Sequence, residues 1–401
     1  MEASNSKKMH WLYIPLGLII FMCMGTIYSW SVFRKPLESV FEISATLSGM
    51  PYMLFLVFYA LSMPVAGGFI DKLGPRVITI IGGLVISLGW FLSSFATNIY
   101  FLMLTYGVLA GVGVGIAYGA PMAVAAKWFP EKKGLAVGLT LGGFGLSPFV
   151  TAPLANKLVE SIGPFETFKI LGIAFGVIIT LLALPLKFPK RHEKNDFDTK
   201  STEVNIKTKD MLKTKSFYGL WSVYTIGTLV GLMAIGISSP VAEEIIKLDS
   251  QKAAMMVSFF ALFNGVGRPI FGSLTDKFSP KKTAIFFFFF IIFISLIMLY
   301  VSKGQTILYG LAFAIFWLNL GGWLAIAPTA TGQFFGSKYY SKNYGYLFTA
   351  YGAGAVLGNV LSGKIRDVFG SYRYVFYPTI AFAILGIIIS IIYVKKPKTE
   401  N

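Results

Sequence analysis

At 401 residues, 55 % hydrophobic, 13 % charged and with 37 phenylalanines, the chain is too apolar for an ordinary soluble domain. Its net charge of +17 would suit nucleic acid, but no soluble domain exists to present a basic face, which excludes that partner. One cysteine, Cys23, and two histidines, His10 and His192, leave no material inside a membrane for a disulfide, a metal cluster or a nucleophile–base pair, so neither a cofactor nor an enzymatic activity is expected.

Windows of about 20 apolar residues, the length that crosses a hydrocarbon core of ~30 Å, recur from Trp11 almost to the C-terminus. Their long unbroken runs indicate helices, not a barrel. Twelve spans are predicted, starting near residues 11, 46, 77, 99, 134, 166, 218, 251, 284, 306, 343 and 372, which makes the chain an all-α membrane protein. The leading MEASNSKK lacks a small-residue cleavage site, so the first span is expected to act as its own uncleaved insertion signal. That span carries GTIYSWSVF, with Tyr28 at mid-depth. Spans two and three are joined through PVAGGFIDKLGPR. Span four, YGVLAGVGVGIAYGAP, holds Tyr118 and places Gly107, Gly111, Gly115 and Gly119 on one helical face, where small residues let helices approach closely. Span five repeats the interval with Gly134, Gly138 and Gly142 before Phe144, Pro148 and Pro153.

From Lys187 to Lys215 the sequence becomes KFPKRHEKNDFDTKSTEVNIKTKDMLKTK, charged, without an apolar period and with little power to bury a core. Residues 187–217 are therefore expected to form a linker between an N-terminal six-helix bundle, 1–186, and a C-terminal one, 218–401. Span eight contains FNGVGRPIFG, which puts an arginine, Arg268, inside a hydrophobic helix. Span ten brings Trp317 and Trp323, and span eleven, LFTAYGAGA, brings Tyr351. With both termini and the linker in the cytoplasm, most of the 35 lysines and arginines fall on the inner side, as the positive-inside rule requires.

The halves share a signature. At one constant offset, Pro64, Gly67, Asp71, Lys72, Pro75 and Arg76 correspond to Pro269, Gly272, Asp276, Lys277, Pro280 and Lys281, each set lying between the second and third span of its half. The shared pattern, G-x-x-x-D-[RK]-x-[GS]-[PRK]-[RK], resembles the cytoplasmic loop signature of the major facilitator superfamily, and the six-plus-six plan extends the resemblance over nearly the whole chain. The resemblance implies a major facilitator fold and a gating role for Asp71, Lys72, Arg76, Asp276 and Lys277, as latches that form in one conformation and break in the other. A solvated turn that anchors helix ends is the competing reading. No nucleotide-binding loop is present, which argues against ATP-driven transport.

An unpaired guanidinium in a membrane span costs a few kcal/mol and calls for an anion. No Asp or Glu lies well inside a span; Asp276 is about 12 Å further along the helix. The cargo can supply the anion, because a guanidinium matches a carboxylate through two parallel hydrogen bonds. Alternatively, Arg268 snorkels to the interface or caps carbonyls freed by Pro269. Asn264, one turn earlier on the same face, can donate or accept beside a carboxylate, and Tyr28, Tyr118, Phe144 and Tyr351 are candidate walls.

Taken together, GTIYSWSVF, GFIDKLGPR, GVGIAYGAP, NGVGRPIFG and LFTAYGAG resemble the oxalate/formate antiporter and bacterial monocarboxylate transporter branch. In that branch the arginine matching Arg268 anchors the substrate carboxylate. The oxalate-carrying members have a lysine where this chain has Tyr351. One fixed positive charge neutralises a monoanion and leaves a dianion uncompensated, so a monocarboxylate is expected over oxalate. The animal monocarboxylate carriers have an aspartate where this chain has Asn264, which cannot carry a proton. The expected function is secondary active transport of small monocarboxylates of the lactate, pyruvate, acetate or formate type across the cell membrane by a monomer, with a co-transported proton or an exchanged anion. Oxalate:formate-type exchange and carriage of a neutral solute are the alternatives.

Overall fold

Inside hydrocarbon a backbone has no water to satisfy its N–H and C=O groups, so each apolar run closes its own hydrogen bonds as a helix. The computed structural model describes residues 11–129, 133–189, 205–336 and 339–397, leaving aside the side chains at 68, 71, 126, 133–135, 340 and 341. Among the described residues there is no strand. Helix α1 covers Tyr13–Phe41, interrupted by a 3-10 turn at Gly25–Ser29. The helix Ala45–Ser93 breaks at Gly74 into α2 (45–73) and α3 (75–93). Helix α4 (99–128) contains a π-helical stretch, Met103–Ala110. The helix Lys133–Ala183 breaks at Gly163 into α5 (133–162) and α6 (164–183). The second half consists of α7 (Lys215–Ile246), α8 (Ser250–Phe278), α9 (Pro280–Tyr300), α10 (Thr306–Phe335), α11 (Tyr340–Phe369) and α12 (Tyr372–Tyr393). Each helix starts within about one turn of its expected position.

Ten stretches qualify as spans by length and apolarity alone, Ala136–Ala183 holding both α5 and α6, and α11 is not among them. Its Gly, Asn and Tyr content lowers its hydropathy because much of its surface faces protein: α11 packs on α2 and α7. The apolar window of α7 is 89 % buried and that of α12 only 33 %, so α7 lies at the centre and α12 faces lipid. Among the described residues the bundles meet chiefly through α1 on α7, α2 on α11 and α5 on α8, and α1 also touches α8.

The duplicated signature has a duplicated backbone. Gly74 (φ 81°, ψ 159°) and Ser279 (φ 87°, ψ 153°) adopt the same left-handed extended conformation, and each precedes the proline that opens the next helix. Glycine reaches this region freely and serine does so under strain.

The expected glycine face on α4 is a contact with α2. A Cβ on Gly111 would lie 2.6 Å from the Phe55 carbonyl oxygen, and one on Gly115 2.7 Å from that of Tyr59. The similar series on α5 behaves differently: Gly138 and Gly142 face open space, and the Cβ position of Gly134 lies outside the described ones.

The end of the molecule where α6 stops and α7 starts is the linker end; the other is the remote end. At the remote end the halves interlock. Asn359 Nδ2 donates to the Gly49 carbonyl (2.5 Å), the Tyr52 hydroxyl to the Leu232 carbonyl (3.2 Å), and Ser250 to Glu160 (2.5 Å). A span of about 20 residues from Trp11 would end near residue 30, before Arg34. The helix instead runs on to Phe41 and buries Arg34 completely, which is tolerable because each of its three nitrogens donates a hydrogen bond.

Candidate functional site

Among the described residues two arginines are buried, Arg34 and Arg268, and their surroundings differ. Arg34 on α1 donates from Nε to Ser48 Oγ (3.1 Å), from Nη1 to the Gly236 carbonyl of the other half (3.0 Å) and from Nη2 to the Ala45 carbonyl (2.5 Å). Glu38, one turn on, lies 3.9 Å from its Nε and accepts from Ser48 Oγ. Around it, Lys35 approaches Glu244 at 3.2 Å and Glu243 at 4.0 Å, and Arg366 donates to Glu244 at 2.7 Å. Asp367 accepts from the backbone N–H groups of Ala45 (3.0 Å) and Thr46 (3.2 Å) and from the Thr46 hydroxyl, so α11 caps the start of α2 across the seam. This network joins the halves at the remote end. Sequence reasoning missed it, although the i, i+4 pair Arg34 and Glu38 in SVFRKPLESVF is its visible trace.

Arg268 on α8 is different. Its Nη1 donates to the Leu141 carbonyl of α5 (2.7 Å), while Nε and Nη2 are buried without a partner. Those two N–H groups form one edge of the guanidinium, the edge that grips a carboxylate with parallel hydrogen bonds. Unsatisfied buried donors each cost about 1–3 kcal/mol, more on a charged group, so two of them on one guanidinium mark Arg268 as a candidate anion site. Arg268 therefore neither snorkels nor binds carbonyls freed by Pro269; it reaches one carbonyl of the opposite bundle and leaves its fork free.

Asn264, one turn earlier and fully buried, donates from Nδ2 to the Trp317 carbonyl of α10 (3.3 Å) and leaves Oδ1 without a donor. Glycines make this reach possible: a Cβ on Gly267 would lie 2.6 Å from the Leu318 carbonyl oxygen, and one on Gly145 of α5 only 2.6 Å from Asn264 Oδ1. Leu141 and Gly145 on α5 thus face Arg268 and Asn264 on α8, each pair one turn apart.

The aromatic candidates gather into one cluster that spans both halves. The Tyr28 and Tyr351 hydroxyls are 2.7 Å apart, Phe144 lies edge-on to Tyr28 (5.1 Å between ring centroids) and to Tyr118 (5.6 Å), and Trp317 lies edge-on to Tyr28 (6.5 Å). Tyr59 of α2, which the sequence did not single out, contacts Tyr118 (5.1 Å) and Tyr351 (5.8 Å). Trp323 is elsewhere, stacked on Tyr224 inside the second bundle.

The residues expected to gate lie at the linker end. Asp276 accepts a long hydrogen bond from Gln333 Nε2 (3.4 Å), Lys72 lies over the Phe69 ring (5.9 Å), Lys277 lies near Phe278 (5.3 Å), and Arg76 is exposed. The side chain of Asp71 lies outside the described positions.

A multi-pass membrane protein of two helical bundles, meeting around a buried cation with a free donor edge, is built as a transporter of small solutes and not as an enzyme. The chain belongs to the Major Facilitator Superfamily, whose family model matches residues 16–332. It is 30 % identical over 363 residues to the oxalate:formate antiporter of Oxalobacter formigenes, covering 90 % of this chain and 86 % of that one. It is 26 % identical to monocarboxylate transporter 13 of Rattus norvegicus, covering 91 % and 84 %. A crystal structure of a bacterial homologue of the human lysosomal transporter Spinster superposes with a TM-score of 0.74 at 15 % identity, covering 96 % and 97 % of the two chains, which establishes the shared fold.

Proposed function

We propose that this protein is a secondary active transporter of small monocarboxylates, with Arg268 as the residue that holds the carboxylate. The observation that carries this reading is the buried, unpartnered Nε and Nη2 edge of Arg268, beside a cluster of Tyr28, Tyr118, Phe144 and Tyr351 drawn from both halves. A monoanion on that edge gives a neutral pair in a low-dielectric site, whereas a dianion would leave one charge desolvated. Tyr351 makes its hydrogen bond to Tyr28 and adds no charge, which favours a monocarboxylate over the oxalate named for the Oxalobacter relative.

Transport proceeds by alternating access. The Arg34 network closes the remote end, and the signature residues Asp71, Lys72, Arg76, Asp276 and Lys277 latch the linker end in the opposite state. The protein sits in the cell membrane as a monomer with both termini and the 187–217 linker in the cytoplasm, where most of its basic residues then lie. With Asn264 in place of an acid beside Arg268, a coupled proton travels on the substrate acid or through water, or the carrier exchanges anions.

The test is uptake of labelled lactate, acetate and formate into proteoliposomes, with and without internal anion. Arg268→Gln abolishes uptake while insertion and folding are retained, and Arg268→Lys rescues poorly because it keeps the charge and loses the fork. Unchanged uptake in the Gln variant would remove the carboxylate from Arg268.

A further inference from the structure

Asn264 carries an acceptor that nothing in the described protein uses. Its Nδ2 donates to the Trp317 carbonyl at 3.3 Å, which fixes the amide's orientation, since the flipped amide would set oxygen against oxygen. Oδ1 is thereby committed to the seam between the bundles, against Gly145 of α5, and is buried without a donor. Arg268 faces the same strip of α5 through Leu141 and holds two buried donors free. Asn264 and Arg268 therefore stand one turn, about 6 Å of helix rise, apart on one face of α8, both against the same strip of α5.

A bare carboxylate meets only the donors. To satisfy all three atoms the ligand must also present an O–H or N–H group close to its carboxylate. An ammonium would set a second cation beside Arg268, and the nearest acid on α8, Asp276, lies two turns further on, so charge favours a hydroxyl. A keto oxygen in that place would confront Oδ1 with another acceptor. Two hydrogen bonds of about 2.8 Å, joined through neighbouring oxygens of one small ligand, span the gap.

We propose that the site selects 2-hydroxy monocarboxylates, with the carboxylate on Nε and Nη2 of Arg268 and the hydroxyl donating to Oδ1 of Asn264. This assignment rests on the carboxylate reading of Arg268 and adds a specificity-determining role for Asn264. A site built to accept from a hydroxyl discriminates against analogues lacking it, because its own polar atom is then left unpaired.

The experiment uses the full chain in proteoliposomes and measures inhibition of labelled lactate uptake by lactate, pyruvate and propionate, which share one charge and nearly one size. The wild type is expected to bind lactate at least about tenfold more tightly than either competitor, and Asn264→Leu to bring the three within about twofold of one another. A wild-type ratio near one, absence of lactate uptake, or a ratio unchanged in Asn264→Leu overturns the assignment. If the Leu variant does not fold, the wild-type ratio decides. Arg268→Gln separates the two readings: if it transports all three acids, the carboxylate assignment falls, whereas if it loses all three while the wild type treats them alike, only the hydroxyl assignment falls.

Discussion

Arg34 and Arg268 are the same side chain at nearly the same burial, and their surroundings predict opposite responses to one substitution. Arg34→Met strips donors from the Ala45 and Gly236 carbonyls and Ser48, and leaves Glu38 facing a buried gap. It should cost about 3 kcal/mol and lower the unfolding temperature in detergent. Arg268→Met gives up one hydrogen bond, to the Leu141 carbonyl, but also removes two buried donors that had no partner, so its unfolding temperature should hold or rise while uptake is lost. Equal destabilisation of both variants would make Arg268 a structural residue. At the same scale, Tyr351→Lys supplies a second cation near the fork and should raise the oxalate-to-acetate affinity ratio, the ratio being the useful quantity because the Tyr28 hydrogen bond is lost for both anions. A flat ratio in an active variant would take Tyr351 out of the cargo site. Arg268 was legible in the sequence because a charge in the middle of an apolar run has no bland neighbour to hide behind. Arg34 was not, since it sits where an apolar run fades, and only the partners contributed by Gly236 and Ser48 reveal that it is buried. Tyr59 was invisible for another reason: aromatics are 16 % of the chain, and only the packing of α2 on α11 separates it from the rest.

At the scale of elements, the repeated signature was readable because it fixes backbone geometry as well as side chains. The duplicated turn leaves glycine at position 74 and serine at position 279 in one conformation that strongly favours glycine. Ser279→Gly should therefore stabilise the second half by about 1 kcal/mol, and Gly74→Ala should destabilise the first by a similar amount, both read from thermal unfolding. A Ser279→Gly variant with a lowered unfolding temperature would mean that the serine side chain contributes more than its strain costs. The glycine rows show the limit of reading by spacing alone. Both α4 and α5 repeat glycine every four residues, yet one row meets the backbone of α2 while Gly138 and Gly142 of the other meet nothing. Spacing states that a helix can be approached, and the partner's position decides whether it is.

For the whole molecule, the distribution of contacts between the bundles implies which motion transport requires. The ion pairs of Lys35 with Glu243 and Glu244, the Asp367 cap on α2 and the Asn359 bond to Gly49 all lie at the remote end, so that end must part before cargo can pass it. A covalent bond placed there should stop the cycle without disturbing the site. Ser31 on α1 and Ser239 on α7 suit this, because their hydroxyls already approach to 3.4 Å across the seam, so sulfurs in their places start near one another and need only a small closure to bond. The native thiol, Cys23, is buried and does not interfere. In a Ser31→Cys/Ser239→Cys protein, oxidation should abolish net uptake and exchange, and reduction should restore both. Substrate binding from the linker end should survive oxidation, measured as ligand-dependent protection against thermal unfolding in the locked protein. Rapid transport by the oxidised protein, with the disulfide verified by mass, would show that the remote end need not open, and the alternating-access reading of the Arg34 network would fall with it.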